Sequence, residues 1–250
     1  MYNKEREQEI LSILKTKNGF VTVKHLCEAL FASESSIRRD LKVLEQRGMV
    51  KRSYGGAAIV TNFSGIVTFN SRTRHNATEK KEIATKAAAL INDGDVVFLD
   101  QSSSAFYVAN EIINRHTLTV VTNNIEIMML LSNSGIKVIS SGGYLSEENR
   151  NCLIGDDAKG TFKNVYADIM FFSVKGITYD GTMWDCSREE VVVRNRMLKN
   201  STKKIMLCDS SKFGVQAPFK QCTVQDVDFL ISDGENSKQF ACLDAKTILL

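Results

Sequence analysis

One face of a predicted helix near the start of the sequence combines hydroxyl and cationic side chains. Its members fall at i, i+3, i+4 and i+7, the spacing that puts residues on one helical face: Ser35, Arg38, Arg39 and Lys42. Arginine can bond two acceptors on a guanine edge at once, whereas lysine and serine suit phosphate contacts. Hydroxyls near the helix start, Ser33 and Ser36 among them, can bond phosphates beside the positive helix N-terminus. The pattern predicts a helix that contacts nucleic acid; the alternative is an ordinary solvent-exposed face.

The opposite face of the same segment is apolar, as a helix needs in order to pack on a core. Ile37, Leu41 and Leu44 supply that face, and Ser33 stands where an N-cap is expected. We therefore predict a helix over residues 34–46, ended by a following glycine. At about 1.5 Å per residue it is about 20 Å long, which fits a DNA major groove.

Two shorter helices are predicted before this one, and a hairpin after it. The first has apolar residues at i, i+3 and i+4 from Ile10, and ends at Asn18-Gly19. Thr22 is the expected cap of the second, whose apolar positions lie within residues 23–30. Gly55-Gly56 between two short β-prone runs indicates the hairpin. Three short helices followed by a hairpin predict a winged helix-turn-helix domain.

The predicted hairpin is itself basic. Lys51, Arg52 and Tyr54 stand where a wing reaches the DNA backbone or the minor groove, although Tyr54 can equally pack on the hairpin. Residues 1–59 contain 11 Lys or Arg and 7 Asp or Glu, a net charge of +4, whereas the whole chain carries +3, so the remaining residues carry −1. The positive excess therefore lies where contact with a polyphosphate is predicted.

A second group of polar residues follows the predicted strands of the larger C-terminal part. Ser102, Ser103 and Ser104 precede a helix, where hydroxyls, free N–H groups and the helix dipole together form an anion site. Lys175 and Lys212 can neutralise charge, and Asp100 and Asp209 can accept from sugar hydroxyls. Further polar loop residues end other strands: Thr122, Asn123, Asn124, Gly142 and Gly143. The set predicts a small polyhydroxylated anion as ligand, and a sugar phosphate fits best.

Alternating helices and strands must position these loops. Near-continuous apolar runs mark strands, as is typical of buried parallel strands: Val96–Leu99, Leu118–Thr122, Ile136–Ile139, Asp168–Val174, Lys204–Cys208, Asp228–Ile231 and a short last one in Lys246–Leu250. Helical segments separate them, which predicts an α/β domain with an open, mostly parallel sheet whose ligands bind at the carboxyl ends of the strands. We expect residues 1–60 to form the winged domain, 61–77 a linker and 78–250 the sugar-phosphate-sensing domain.

The first part of the chain resembles the signature of DeoR/GlpR-type repressors. Residues 33–41 read Ser-Glu-Ser-Ser-Ile-Arg-Arg-Asp-Leu, and Leu44, Gly48, Arg52 and residues 55–57 follow at the family's spacing. The family usually has threonine at the position of Ser36. We expect Asp40 to be structural, either paired with a neighbouring arginine or capping a contact, and Arg38 or Arg39 can be tied up in the same role.

The resemblance continues through the second part. Phe98-Leu99-Asp100 with the serine run, residues 120–123, Gly142-Gly143, Gly155 and residues 209–214 resemble the family's sensor domain, which is similar in fold to ribose-5-phosphate isomerase. The family often has Gly-Thr-Thr where this chain has three serines, so close backbone approach at that glycine is in doubt while donors remain. The resemblance implies a transcriptional repressor of carbohydrate metabolism genes. It also implies binding to operator DNA as a homo-oligomer, dimer or tetramer, and release by a phosphosugar.

Two other functions are open. A sugar-phosphate isomerase-like enzyme with an added DNA-binding domain needs a base beside the substrate carbonyl. The isomerases carry Asp-Gly-Ala-Asp-Glu there, whereas residues 172–176 read Phe-Ser-Val-Lys-Gly. Glu189-Glu190, at a predicted helix start, are expected to serve the helix dipole. We therefore predict no enzyme activity, and a DNA-binding protein without an effector is the third possibility.

Composition and cysteine placement narrow the remaining classes. A hydrophobic fraction of 43% and a charged fraction of 24% are ordinary for a globular soluble protein. The six cysteines are scattered without CxxC spacing and without histidine neighbours, so we predict no disulfide framework, metal site or cofactor. The first residues are charged and no apolar run approaches the ~20 residues of a membrane span. We expect a cytoplasmic protein.

Overall fold

The computed structural model describes residues 3–16, 20–46, 50–53, 55–59, 69–233 and 248–249. The chain divides into two units, residues 1–66 and residues 67–250. The first of these holds the predicted helix-turn-helix and the second holds the predicted parallel sheet.

The first unit is a three-helix core closed by a small sheet. Its elements follow in chain order: α1 (Asn3–Thr16), β1 (Phe20–Thr22), α2 (Val23–Leu30), α3 (Glu34–Gln46), β2 (Val50–Ser53) and β3 (Gly56–Ile59). Antiparallel pairing in the order β1-β3-β2 joins the wing strands to β1. The core consists of buried aliphatic side chains: Ile10, Leu14, Leu26, Ile37, Leu41 and Leu44.

Local signals fix the helix starts in this unit. The Thr22 side chain accepts a hydrogen bond from the His25 N–H and caps α2, and the Ser33 hydroxyl accepts from the Ser36 N–H at 3.3 Å at the start of α3. Both caps are as predicted. Phe31, between the two helices, has a φ of 49° and a side chain 97% exposed. Strand β1 was not predicted, because its three residues are held by pairing with the distant β3.

Six α-helices and twelve strands make up most of the described part of the second unit. Its α-helices are α4 (Phe69–Arg74), α5 (Ala77–Ala88), α6 (Ser103–Glu111), α7 (Ile125–Leu131), α8 (Asp156–Asn164) and α9 (Arg188–Lys199). Its strands are β4 (Val96–Leu99), β5 (Thr119–Thr122), β6 (Lys137–Ser140), β7 (Tyr144–Leu145), β8 (Leu153–Ile154), β9 (Ala167–Phe172), β10 (Gly176–Ile177), β11 (Thr182–Asp185), β12 (Ser201–Leu207), β13 (Phe219–Thr223), β14 (Phe229–Ile231) and β15 (Ile248–Leu249).

A parallel sheet in the order β15-β14-β12-β9-β4-β5-β6 organises the unit. Alternate residues of β4 enter different cores: Val97 and Leu99 pack with α5, α6 and α7, whereas Phe98 packs with α8 and α9. Leu99 is in register with Thr122 of β5 and Phe171 of β9. The carboxyl ends of these strands therefore share one edge. The predicted α/β class with an open, mostly parallel sheet is confirmed.

Two small antiparallel sheets were not predicted: β10-β11-β13 and β7-β8. Their strands are short or carry polar residues, so their sequences lack the long apolar runs that marked the main sheet.

Helix α4 occupies part of the segment that the sequence assigned to the linker. It docks on α6, where the Phe69 and Phe106 rings meet edge to face at 5.7 Å and the Tyr107 hydroxyl donates to the Thr73 carbonyl at 3.0 Å. Residues 69–77 therefore belong to the second unit, because their order depends on contacts that are distant in sequence.

Candidate functional site

The polar face of α3 lies where the sequence predicted it. Four side chains are exposed along it: Ser35, Arg38, Arg39 and Lys42. At its start the Ser33 Oγ lies 3.0 Å from the Ser35 Oγ and 2.9 Å from the Ser36 Oγ, so three hydroxyls cluster at the helix N-terminus. The arrangement presents hydroxyl donors and cations to solvent on one surface of the first unit.

Two arginines on this surface hold exposed carboxylates. Arg38 Nη2 donates to Glu34 Oε1 at 2.6 Å, and Arg52 Nε donates to Glu45 Oε2 at 2.6 Å. Hydrogen bonds from the Arg52 N–H and side chain lower the pKa of Glu45. Exposed pairs of this kind contribute little stability, so each guanidinium can exchange its carboxylate for a phosphate or a base edge.

A cleft of about 270 Å³ separates α3 from the wing, and both arginines line it. Of the other predicted wing residues, Lys51 lies in β2, and Tyr54 lies outside the described residues.

The expected partner of Asp40 is corrected by the structure. Asp40 is buried and accepts a hydrogen bond from Arg6 Nε of α1 at 2.5 Å, not from Arg38 or Arg39. This bond raises the pKa of Arg6. Asp40 therefore ties α3 to α1, and both arginines of the motif stay on the solvent side.

The serine run opens α6 at the carboxyl edge of the parallel sheet. The Ser102 hydroxyl caps the helix by accepting from the Ala105 N–H at 3.1 Å. Ser103 and Ser104 are buried in the first turn. The Ser104 Oγ has no hydrogen-bond partner within the described part of the chain.

The loop after β5 lies at the same edge and is also buried. Asn124 Oδ1 accepts from the Glu126 N–H at 3.0 Å and caps α7, while Asn123 Nδ2 donates to the Gln101 side chain at 3.3 Å and to the Leu153 carbonyl at 3.2 Å. Asn123 Oδ1 and Asn124 Nδ2 are left without partners among the described residues. The loop therefore offers one free acceptor and one free donor.

Asp100 has a different role from the one predicted. Its carboxylate accepts from Arg194 Nε at 2.9 Å, from the Ser102 N–H at 3.0 Å and from the Ser173 N–H at 3.3 Å. Asp185 binds the same guanidinium at 2.7 Å. Asp100 thus holds the serine loop in place instead of pointing an open carboxylate at a sugar, because the buried Arg194 needs a counter-charge.

Asp209 is likewise engaged by its neighbours. Burial alone would raise its pKa, but the Lys212 ammonium and hydrogen bonds from Ser211 and Asn76 outweigh burial and lower the pKa to about 2. Asn76 Nδ2 donates to Asp209 Oδ1 at 2.9 Å, which ties the turn before α5 to the loop after β12. Lys212 also donates to the Ser173 hydroxyl.

The remaining predicted residues lie farther out on their loops. Lys175 is exposed and its backbone N–H donates to the Trp184 carbonyl at 2.9 Å. Gly142 and Gly143 have φ values of 67° and 97°, and a Cβ on Gly143 would lie 2.1 Å from the Ile154 carbonyl oxygen. Gly143 is therefore required by the backbone packing itself.

Two polar side chains of the second unit were missed or misjudged from the sequence. Glu190 is buried, not an exposed helix-start residue, and accepts from Gln101 Nε2 at 2.9 Å and from Asn149 Nδ2 at 3.1 Å. Burial raises its pKa. Lys80 is buried beneath α4, where it donates to the Arg72 and His75 carbonyls at 2.6 Å each. No local pattern reveals these roles, since every partner lies in another element or turn.

Within the described residues, the buried side-chain atoms without hydrogen-bond partners are confined to three places: α4, the start of α6 and the loop after β5. They are Arg72 Nε, Arg72 Nη2, Ser104 Oγ, Asn123 Oδ1 and Asn124 Nδ2. Native proteins leave few buried polar atoms unpaired, because each costs about 1–3 kcal/mol. Donors and acceptors held unpaired at the ligand edge of an α/β sheet indicate a binding site for a small polar molecule.

A basic recognition helix beside a wing, joined in one chain to an α/β unit with a polar ligand edge, defines a helix-turn-helix transcriptional regulator with a sensor domain. Residues 6–63 match the family model of the DeoR-like helix-turn-helix domain, and residues 75–234 match the model of the DeoR C-terminal sensor domain. The chain belongs to the DeoR family of transcriptional regulators, which confirms the resemblance found in the sequence.

Similar proteins cover nearly the whole chain. The transcriptional regulator GolR of Listeria innocua is 33% identical over 95% of this chain and 93% of its own. The transcriptional repressor GlcR of Bacillus subtilis is 32% identical over 97% and 93%. The glycerol-3-phosphate regulon repressor of Escherichia coli is 28% identical over 93% and 92%. Among solved structures, ribose 5-phosphate isomerase A of Methanocaldococcus jannaschii superposes with a TM-score of 0.42 and 19% identity, over 55% of each chain.

Neither a metal cluster nor a membrane helix is found in the described residues. No three His, Cys, Asp or Glu side chains there are grouped as metal ligands, and no helix there is long and apolar enough to cross a bilayer.

Proposed function

We propose that this regulator is a sequence-specific repressor of carbohydrate-metabolism genes that a phosphorylated sugar releases from its operator. The observation that carries the proposal is the group of buried donors and acceptors without partners at the carboxyl edge of the sheet. A polyhydroxylated anion offers both acceptors and donors and so matches both kinds of unpaired atom. Two relatives are named repressors, one of them of the glycerol-3-phosphate regulon.

The DNA side of the proposal uses the exposed face of α3. Arg38 and Arg39 read base edges in the major groove, and the serine hydroxyls at the helix start bind phosphates. Lys42 and the wing residues Lys51, Arg52 and Tyr54 add backbone or minor-groove contacts. In a dimer or tetramer, two such helices reach successive major grooves about 34 Å apart on a palindromic operator. As a DNA-binding regulator, the protein acts in the cytoplasm.

The effector side uses the sheet edge. The phosphoryl group lies at the N-terminus of α6, where Ser103, Ser104 and the helix dipole favour an anion. Sugar hydroxyls then pair with the free Asn123 oxygen and the free Asn124 amide. Lys175, Lys212 and the Gly142-Gly143 loop border the site, and Asp100 and Asp209 hold its frame.

Release follows if the effector binds one arrangement of the oligomer better than the DNA-competent one. A coupling free energy of about 1–3 kcal/mol changes operator affinity about 5–150-fold.

The test combines operator selection with effector release. Binding sites are selected from a random DNA pool, and titration of the selected duplex is followed by fluorescence anisotropy. Arg38→Ala and Arg39→Ala should each weaken binding by about 1–3 kcal/mol if they read bases. Arg196→Ala is the matched control, since Arg196 is an exposed helical arginine of the other unit. Sugar phosphates from a panel are then added one at a time, and we expect one of them to release the duplex from the protein.

Three results would contradict the proposal. Unchanged operator affinity in both arginine variants would show that α3 is not the recognition helix. No release by any sugar phosphate would favour a regulator without such an effector. Turnover of ribose 5-phosphate or a related sugar phosphate would favour the isomerase-like alternative, with the buried Glu190 as the first candidate acid or base.

A further inference from the structure

Arg72 of α4 holds two of the unpaired atoms. Its Nε and Nη2 are both buried and neither donates a hydrogen bond to any described residue. These two nitrogens lie on the same edge of the guanidinium plane and donate in parallel. A planar edge of this kind binds two oxygens of one phosphate or carboxylate group at once. The two nitrogens therefore have the geometry of a bidentate anion-binding group.

The guanidinium is held in place by its own helix. Its carbon lies 5.6 Å from the centre of the Phe69 ring, one helical turn earlier, which gives a cation–π contact. The Phe69 ring packs in turn on Phe106 of α6, the helix that the serine run opens. The Arg72 carbonyl accepts from the buried Lys80 ammonium at 2.6 Å. Backbone and ring contacts thus fix α4, while the two donor nitrogens remain unused.

The charges around Arg72 define what it can bind. Burial is the largest influence on both neighbouring groups, since it lowers the pKa of Lys80 and raises the pKa of Glu190, and the positive charge of Arg72 also acts on both. Arg72 therefore lies within electrostatic range of the cationic corner formed by Lys80 and Lys212, and of the buried Glu190. The charges of Lys80 and Lys212 both act on Asp209 at this corner, and Lys212 pairs with Asp209 at 3.6 Å.

We propose that Arg72 binds the anionic group of the effector through Nε and Nη2, and that this group is a phosphoryl group. The proposal rests on the proposed function and names the residue that reads the charged end of the ligand. A phosphate monoester carries nearly two negative charges at neutral pH and three acceptor oxygens, so it matches the positive excess at this corner better than a singly charged carboxylate does. Arg72 was absent from the sequence-based candidates, because its segment was assigned to the linker.

The position of Arg72 in the chain also connects effector binding to the segment that follows the DNA-binding unit. Helix α4 is the first described element after residues 60–68, the stretch of chain that follows the wing strand β3. An effector bound to Arg72 therefore acts directly on the helix through which the chain enters the sensor unit.

The first experiment measures thermal unfolding of the full chain with and without inorganic phosphate. We expect phosphate to raise the unfolding midpoint of the wild type and of Arg74→Gln, the matched control, since Arg74 is exposed on the same helix. Arg72→Gln should lose the shift, and Arg72→Lys, which keeps the charge but not the fork, should retain only part of it. Equal shifts in the Arg72→Gln and Arg74→Gln variants would overturn the proposal.

The fold of the variant is checked in the same experiment. Without phosphate, Arg72→Gln should unfold near the wild-type midpoint, because Nε and Nη2 donate to no described residue and the substitution removes only the contact with the Phe69 ring. A large loss of stability in both Arg72→Gln and Arg72→Lys would show a structural role and overturn the proposal.

The second experiment separates this inference from the proposed function. Operator release is titrated with glucose 6-phosphate, ribose 5-phosphate, glycerol 3-phosphate and, as the carboxylate arm, gluconate. If a sugar phosphate releases the wild type, Arg72→Gln should bind the operator normally but need at least tenfold more of that ligand. Release of both proteins at the same concentration would overturn the role of Arg72 alone. Release by gluconate and by none of the phosphates would overturn the phosphoryl assignment, and no release at all would overturn both proposals.

Discussion

The two candidate binding surfaces of this regulator treat their polar groups in opposite ways. On the polar face of α3 the cationic side chains are exposed, and Arg38 pairs with the exposed Glu34. At the sheet edge Ser104, Asn123 and Asn124 are buried, and each keeps one atom without a partner among the described residues. A surface that meets DNA can exchange weak solvent-exposed partners at small cost. A site that must recognise one small molecule gains affinity from donors held in place before the ligand arrives.

The frame of the sheet edge shows a third arrangement, in which buried charges are fully paired. Arg194 binds Asp100, Asp185 and Gln221 at 2.9, 2.7 and 2.7 Å. These contacts join the serine loop to β11 and β13. We therefore make four predictions that compare the paired atoms of the frame with the unpaired atoms of the site.

The largest effect is expected from the frame. Arg194→Met leaves the Asp100 and Asp185 carboxylates buried without their counter-charge, so we expect a loss of about 3–5 kcal/mol in the free energy of unfolding. Chemical denaturation of the variant measures it, with Arg196→Met on the exposed side of the same helix as control. A loss below about 1 kcal/mol would mean that the paired charges of the frame contribute little to the free energy of unfolding.

The second prediction concerns pH. Burial, then the charge of Lys212, lowers the pKa of Lys80 to about 8 from an ordinary value near 10.5, with Arg72, Asp209 and Glu79 as the other charges acting on it. Between these values the unfolded chain holds more protons on this residue than the folded chain. This group therefore makes the free energy of unfolding rise with pH in that window.

Anion binding should respond in the opposite direction. Above pH 8 Lys80 loses its charge, whereas a phosphate monoester, whose second pKa is about 6, keeps its own. We expect affinity for a phosphate ligand to fall by up to about tenfold between pH 7 and pH 9. Calorimetric titration at both values measures the fall, and Lys80→Arg should flatten it. A wild-type affinity independent of pH would show that the charge of Lys80 does not contribute to phosphate binding.

How far the sequence predicts this molecule depends on the distance over which each signal acts. Helix α3 was predicted to the residue, because its cap Ser33 and its apolar spacing are local. The loops at the sheet edge were found because each follows an apolar run. Arg72 and Glu190 were not, because burial of one depends on α4 docking on α6 and burial of the other on Gln101 and Asn149.

The same reasoning explains the partner of Asp40. The sequence indicated a structural carboxylate, but its partner Arg6 lies 34 residues away on α1. Residue type and spacing therefore identified the polar groups that can form specific contacts. Contacts between residues distant in sequence determine which of these groups already have a partner within the protein.

The third prediction compares two serines of one helical turn. The Ser102 hydroxyl caps α6, so Ser102→Ala should cost about 1 kcal/mol of unfolding free energy. The Ser104 hydroxyl is buried and has no partner among the described residues, so Ser104→Ala should leave the free energy of unfolding unchanged or raise it slightly, while weakening phosphate binding. Denaturation and calorimetry on both variants separate the roles. Ser201→Ala, at the opposite end of the sheet, is the control for removing a buried hydroxyl. Equal destabilisation by Ser102→Ala and Ser104→Ala would show that Ser104 is also a frame residue.

The smallest effect is expected on α3, where partners are exchanged most readily. Glu34→Gln removes the carboxylate that holds Arg38 and also removes a negative charge that would face DNA phosphates. Exposed pairs contribute about 0.2–1 kcal/mol, so operator affinity should rise by up to about fivefold. Anisotropy titrations at two salt concentrations measure this, and Glu28→Gln on α2 controls for the change in net charge alone. Weaker binding by Glu34→Gln but not by Glu28→Gln would mean that Glu34 orients Arg38 for the base edge. The DNA-binding face of α3 would then depend on a side chain that is held in position before DNA binds, as the sensor site does before its ligand binds.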